Sequence, residues 1–262
     1  MDYEALVSAV IEERKESPVD LRGLGDGEHE HAYLKDLGSS YVRTVRDIDR
    51  LLGRGAVLEL GAFLGVVSVC LKRMGYAITA SDIPEYSAAA PVYEKESIPF
   101  DLLNLRHHSL PYARDSFDAV VICETLEHFN FNPLPVLKEI HRVLKPGGCL
   151  YVGMPNQARL SNRLKALAGK SIHDPVSHFF QQLDRRDNMV VGIHWREFTL
   201  AETREMLERM GFSVERSYFF EGARYRWRRV IAAWPSLRSS QVVIARKDSD
   251  PKHDFWITEA NA

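Results

Sequence analysis

Two apolar runs in this chain end in groups that can hold a nucleoside. Val57-Leu58-Glu59-Leu60 leads into Gly61-Ala62-Phe63-Leu64-Gly65 and then into the apolar start of a helix at Val66. Glycines let a backbone turn sharply and approach a ligand with no Cβ in the way. The helix N-terminus behind them leaves N–H groups unpaired. The carboxylate of Glu59 can accept hydrogen bonds from a cationic group. Asp82 closes the next apolar run, Ile78-Thr79-Ala80-Ser81-Asp82. An acid about 20 residues past a glycine turn is the expected acceptor for ribose hydroxyls. Each segment alone also fits a plain tight turn or a surface acid.

A second constellation lies downstream. Glu124-Thr125-Leu126-Glu127-His128 places two carboxylates and an imidazole on one turn, and His194 follows in Gly192-Ile193-His194-Trp195-Arg196-Glu197-Phe198-Thr199. Histidine is the natural proton acceptor near neutral pH, so His128 and His194 are the candidate bases. His107 and His108 lie further from the expected site. Glu124, Glu127 and His128, with His194 as a later ligand, also have the donor types of a divalent-cation site. The residues alone leave open whether a metal binds, and whether the two histidines only pack or orient a loop.

These groups need a frame, and the pattern from residue 56 onward supplies one. Short apolar runs at 56–60, 77–80, 117–123 and 149–153 alternate with helical segments at 66–74 and 134–144. That rhythm predicts βαβ units and a parallel sheet with helices on both faces. Before it, Leu34, Leu37, Tyr41, Val45, Ile48 and Leu52 recur at three- and four-residue steps, which predicts an amphipathic helix over 33–52. A shorter helix is expected from Tyr3 to Ile11, and a loop over the Gly- and acid-rich stretch from Gly23 to Glu30. Residues 1–52 therefore read as an N-terminal helical cap and 53–247 as the main domain. Within it, 156–195 reads as an insertion on the ligand side, helical over 162–167 and polar over 171–188. Thr199 with Glu202 three residues on predicts a capped helix that Gly211 stops. Strands over 212–220 and 241–245 follow, read as an antiparallel closing pair, and 248–262 reads as a polar tail. The cap either covers the cleft or forms a homodimer contact.

Composition narrows the class. The 262 residues are 45% hydrophobic and 27% charged, as in a soluble globular chain. Lys and Arg number 34 against 36 Asp and Glu, a formal net charge of −2. Such a balance disfavours nucleic acid as a partner unless a local patch supplies positive charge. Arg224-Tyr225-Arg226-Trp227-Arg228-Arg229 is such a stretch. It reads as the solvated face of a helix, with a grip on an anionic acceptor as the alternative. Cys70, Cys123 and Cys149 form no metal or disulfide framework, which suits a reducing cytosol. The start lacks the regions of a signal peptide, and no run of about 18 apolar residues predicts a transmembrane helix. The expected location is cytoplasmic.

The stretch Leu110-Pro111-Tyr112-Ala113-Arg114-Asp115-Ser116-Phe117-Asp118-Ala119-Val120, then Glu124-Thr125-Leu126-Glu127-His128, then Glu139-Ile140-His141-Arg142-Val143-Leu144-Lys145-Pro146-Gly147-Gly148 resembles the class I S-adenosylmethionine-dependent methyltransferases. With the glycine turn and Asp82, the resemblance covers roughly residues 55–155. It implies an α/β fold with a doubly wound, mostly parallel seven-stranded sheet. S-adenosylmethionine is the implied cofactor. Glu59, Gly61 and Gly65 would hold its methionine part and Asp82 its ribose. Asp101 or Asn104 would meet its adenine, and Glu124 would lie beside its amino-acid end, facing the acceptor. Phe63 departs from the pattern, standing where the family often has a third glycine; either the turn widens or the ring roofs the cofactor. Some ubiquinone-pathway and small-RNA 2′-O-methyltransferases share the Glu-x-x-Glu-His arrangement. The implied reaction is O-methylation of a small-molecule or glycan acceptor. RNA methylation and a non-catalytic cofactor-binding regulator are the alternatives.

Overall fold

The computed structural model of the chain describes residues 1–16, 28–107, 109–184, 192–220 and 233–251. Its centre is a seven-stranded sheet of β1 (Ala56–Leu60), β2 (Ala77–Asp82), β3 (Phe100–Leu102), β4 (Phe117–Cys123), β5 (Leu144–Pro155), β6 (Phe212–Phe220) and β7 (Ser240–Lys247). The strand order is β3-β2-β1-β4-β5-β7-β6. The first five strands run parallel, and β7 lies antiparallel between β5 and β6. The doubly wound sheet and its closing antiparallel pair agree with the sequence reading.

The strands are near-continuous apolar runs because both faces are covered. In β1, Val57 points into one core while Leu58 and Leu60 point into the other; in β4, Ala119 and Val121 oppose Val120 and Ile122 in the same way. The first core is closed by α1 (Tyr3–Glu16), α2 (Glu28–Leu52) and α3 (Val66–Arg73), and by α4 (Ala90–Lys95). The second is closed by α5 (Leu134–Val143) and α8 (Leu200–Arg209). Between β5 and α8 the chain forms α6 (Leu160–Leu167) and α7 (Ser177–Asp184).

Three expectations change. Helix α2 starts at Glu28, inside the acid-rich stretch read as a loop. Helix α7 occupies part of the polar segment 171–188, where Phe179 stacks on Trp195 with ring centroids 5.3 Å apart. Strand β3 has three residues and no apolar run to announce it. The Arg224–Arg229 stretch, His108 and the tail beyond residue 251 lie outside the described residues.

The N-terminal helices are tied to the sheet domain by two acids of α2, the half-buried Asp49 and the buried Asp47. Asp49 of α2 accepts hydrogen bonds from Tyr3 (2.7 Å) and from Tyr76 (2.8 Å). Asp47, also on α2, accepts from Tyr218 of β6. Val7, Val10, Leu34 and Val45 join the same core as the strands. Among the described residues, no helix is long and apolar enough to cross a membrane.

Helix α8 starts as its sequence predicts. Thr199 Oγ1 accepts the Glu202 N–H at 3.2 Å, and the Glu202 carboxylate accepts the Thr199 N–H at 2.8 Å. Gly211, at φ 85°, ends the helix next to the backbone of Ser249. Thr199→Ala should cost about 1 kcal/mol and lower the melting temperature by roughly 2–4 °C. Thermal denaturation followed by circular dichroism measures it, and an unchanged midpoint would contradict the assigned cap.

Candidate active site

Strand order reverses between β1 and β4, and ligands of open α/β sheets bind in the crevice at such a point, beyond the carboxyl ends of the strands. The glycine turn crosses this crevice. Gly61 has φ 75°, and a Cβ built there would lie 2.3 Å from Thr125 Oγ1, so a side chain cannot fit. The N–H groups of Gly61 and Ala62 both donate to the Ser81 carbonyl, at 2.9 and 3.0 Å, which folds the turn over the end of β2. Gly65, at φ 73°, precedes α3, and a Cβ there would come 3.1 Å from the Tyr93 ring.

Phe63 holds the left-handed conformation that a glycine would adopt freely, with φ 48°. That geometry costs a non-glycine residue roughly 1–2 kcal/mol. Two hydrogen bonds maintain it. The Phe63 N–H donates to Asp82 Oδ2 at 2.6 Å, and the Tyr93 hydroxyl donates to the Phe63 carbonyl at 3.0 Å. The ring meets Tyr33 and Tyr86 edge-on, at 5.8 and 5.2 Å between centroids. The turn has therefore kept its tight form, and the ring has joined an aromatic group beside it.

The predicted cofactor acids lie on neighbouring strand ends. Glu59 is 3% exposed. Burial pushes its carboxyl up to about 8, against a hydrogen bond donated by Ser68. Asp82 is raised to about 6 by burial, against the N–H groups of Phe63 and Ile83. Asp101, paired with Ser81 across β2 and β3, accepts the Tyr112 hydroxyl at 2.8 Å. Asn104 is exposed and spends its side-chain oxygen on the Arg106 N–H at 3.0 Å.

Beyond β4 the reactive groups converge. Glu124 is left-handed, φ 52°, and its N–H donates to the Gly153 carbonyl at 2.8 Å. Its Oε1 accepts from Ser40 of α2 at 3.0 Å. Burial raises the Glu124 carboxyl. Glu127 is fully buried; no N–H or hydroxyl group among the described residues donates to its carboxyl oxygens, and its side chain pairs only with the carboxyl of Glu124. Burial, and then the neighbouring Glu124, hold its carboxyl well above the usual range.

The two histidines face each other, with ring centroids 4.9 Å apart. His128 Nδ1 lies 2.9 Å from the Ile193 carbonyl, which can only accept, so Nδ1 carries the proton. Burial, then His194, push His128 down to about 4, so it is neutral with a bare Nε2. His194 Nδ1 lies 2.9 Å from Glu197 Oε1. The Glu197 carboxyl sits at about 2: burial would raise it, but His194 and Arg159 outweigh that. The Glu127 carbonyl accepts the N–H groups of Trp195 (2.9 Å) and Arg196 (3.2 Å), which brings His194 beside the Glu127 turn. One donor atom from each of Glu127, His128 and His194 lies within 4.8 Å of the others, a spacing that can hold a metal ion.

The methyltransferase domain family matches residues 58–152. The ubiquinone biosynthesis O-methyltransferase of Xanthomonas campestris pv. campestris is 27% identical over 157 residues, 58% of this chain and 65% of that protein. The mitochondrial enzyme of the same name from Rattus norvegicus is 28% identical over 70% of this chain and 53% of its own. The chain thus spans less than two thirds of the length of these relatives. Among solved structures, the Burkholderia thailandensis 1,6-didemethyltoxoflavin-N1-methyltransferase, with 1,6-didemethyltoxoflavin and S-adenosylhomocysteine bound, superposes with a TM-score of 0.59. It is 18% identical, covering 92% of this chain and 89% of that one. A methyltransferase from Methanosarcina mazei gives a TM-score of 0.56 at 22% identity, over 78% of this chain and 98% of its own.

Residues 58–152 form a methyltransferase domain, and the fold is shared with S-adenosylmethionine-dependent methyltransferases. The residues present fit the family's cofactor. S-adenosylmethionine carries cationic sulfonium and ammonium groups. Glu59 and Asp82 are buried carboxyls at the strand ends and Glu127 one on the turn after β4, and none has a Lys or Arg partner among the described residues. Two residues of this candidate site escaped the sequence reading. Ser40 reaches Glu124 from 84 positions away, with no local signal. Glu197 stands three residues after His194, a spacing that was visible but without a stated role.

Glu59 gives a pH prediction. Its carboxyl rises from about 4.3 in an unfolded chain to about 8 in the folded one. Between those pH values the folded state holds a proton that the unfolded state lacks. Stability therefore falls as pH rises through that window, by about 1.4 kcal/mol per unit of displacement. Glu59→Gln has no proton to lose and still accepts from Ser68. Its melting temperature should gain on the parent from pH 5 to pH 8, and an equal gap at both would mean that Glu59 ionises normally.

Proposed function

We propose that this methyltransferase moves the methyl group of S-adenosylmethionine to an oxygen of a small-molecule or glycan acceptor. The observation that carries this reading is the pair of imidazoles beside Glu124 and Glu127, with a bare Nε2 on the neutral His128. The O-methyltransferase names of the relatives support oxygen as the target. When bound, the cofactor supplies a methyl carbon on positively charged sulfur, an electrophile that needs little activation. Glu59 draws its ammonium group. Asp82 keeps lone pairs for ribose hydroxyls after accepting from Phe63 and Ile83. The acceptor hydroxyl gives its proton to a histidine Nε2, His128 or His194.

A second reading gives the same Nε2 lone pairs to a divalent cation instead of a proton, held by Glu127, His128 and His194 with Glu124 adjoining. The Glu127 carboxyl favours it: no N–H or hydroxyl group among the described residues donates to it, its neighbour is another carboxyl, and a buried carboxylate needs a proton, a donor or a metal. Mixed imidazole and carboxylate donors suit manganese, iron or zinc.

Calorimetry with S-adenosylmethionine should show binding, weakened more than about tenfold, or 1.4 kcal/mol, by Asp82→Ala. An unchanged affinity would sink the ribose contact. Extract incubated with methyl-labelled cofactor should yield a labelled product, and His128→Ala with His194→Ala should slow its formation by roughly 10²–10⁴-fold. Treatment with a chelator should abolish transfer and added manganese or zinc should restore it, if the cation is required. Full activity after chelation leaves the histidines acting as bases alone.

A further inference from the structure

Glu197 touches neither the glycine turn nor the Glu124–His128 turn by hydrogen bond, yet three buried or half-buried groups converge on it. His194 Nδ1 is 2.9 Å from its Oε1. Arg159 donates to its Oε2, and Asn162 Nδ2 reaches the same oxygen at 3.2 Å. Arg159 and Asn162 belong to the start of α6, in the segment between β5 and α8. The same segment takes the His194 backbone N–H on Asp174 Oδ2 at 2.9 Å.

We propose that Glu197 is the positioning residue that locks His194 in the Nδ1–H tautomer, and that the insertion carrying Arg159, Asn162 and Asp174 exists in part to hold that lock. A carboxylate paired with Arg159 only accepts hydrogen bonds. The atom facing it, Nδ1, must therefore be the protonated one, and the lone pair is left on Nε2. An acceptor on the other side of an imidazole fixes its tautomer, whether Nε2 takes a proton or binds a metal. His128 reaches the same tautomer through a backbone carbonyl, so the two rings present matching lone pairs. Both acceptors, the Ile193 carbonyl and the Glu197 carboxylate, lie between β5 and α8, but only that of His194 is a side chain, which Arg159 and Asn162 hold in place. The inference rests on the reading of His194 as a working group of the methyl-transfer site, but the tautomer can be measured without cofactor or acceptor.

The test is a two-bond proton–nitrogen NMR spectrum of the full chain labelled with ¹⁵N-histidine, with His194 assigned by the signal lost in His194→Asn. The expected result is a pyridine-type Nε2 and a protonated Nδ1. In Glu197→Gln the amide NH₂ can face Nδ1, and the proton should move to Nε2; Glu197→Asp should keep the parent pattern. A parent chain with the proton on Nε2 overturns the proposal, and so does a Glu197→Gln variant with an unchanged pattern. The parent spectrum decides even if a variant fails to fold. With methyl-labelled cofactor and extract, Glu197→Gln should lose roughly 10²–10⁴-fold in transfer while its affinity for the cofactor stays within about twofold. Loss of cofactor affinity to match would mark a structural role instead. If the parent chain transfers no methyl group at all, the proposed function fails while the tautomer result still stands on its own.

Discussion

Carboxyl groups buried without a cation are the constraint on which the rest of this structure turns. Glu59, Asp82 and Glu127 sit at the carboxyl edge of the sheet, shielded from water and without a basic partner among the described residues. An ionised carboxylate in such surroundings is expensive, and the usual outcomes are a proton or a cationic ligand. All three carboxyls are displaced upward for that reason. A site built this way is preorganised for positive charge, since the acids are already stripped of water before a ligand arrives. A sulfonium nucleoside has the charge that such a site suits.

Backbone geometry delivers these groups at some cost. Phe63 and Glu124 both take left-handed conformations that suit glycine, each costing of order 1–3 kcal/mol. Both are held by bonds across the crevice: Phe63 by Asp82 and Tyr93, Glu124 by Gly153 and Ser40. Strain at strand ends is tolerable because the strands themselves are buried on both faces and packed into two continuous cores. The acid that holds the Phe63 turn is also the proposed ribose ligand, so that proposal puts cofactor binding and turn geometry on one side chain.

The sheet was legible because parallel strands covered on both faces must be continuous apolar runs, and β1, β2, β4 and β5 are such runs. Helix α8 was legible from Thr199 and Glu202, because a capping box is a purely local arrangement. Strand β3 was not, since three residues paired along one edge need no apolar run. The start of α2 was masked by the glycines before it, although its apolar stripe was plain. Glu59, Gly61, Asp82 and Glu124 could be named from strand-end positions. Asp101 and Asn104 could be named only by likeness, and each is engaged by a neighbour, Tyr112 and the Arg106 N–H.

Local order along the chain thus determined the strands, the glycine turn, the helix caps and the residue types that make up the site, because hydrophobic period, turn chemistry and capping act over a few positions. It also set Glu124, Glu127 and His128 on one turn. Only the tertiary structure decided that His194 crosses back to face His128, that Ser40 reaches Glu124 from the first long helix, and that Arg159 and Asn162 meet Glu197. Those contacts join positions tens of residues apart. Their geometry is fixed by how the helices close over the sheet, and no short-range pattern in the chain encodes it.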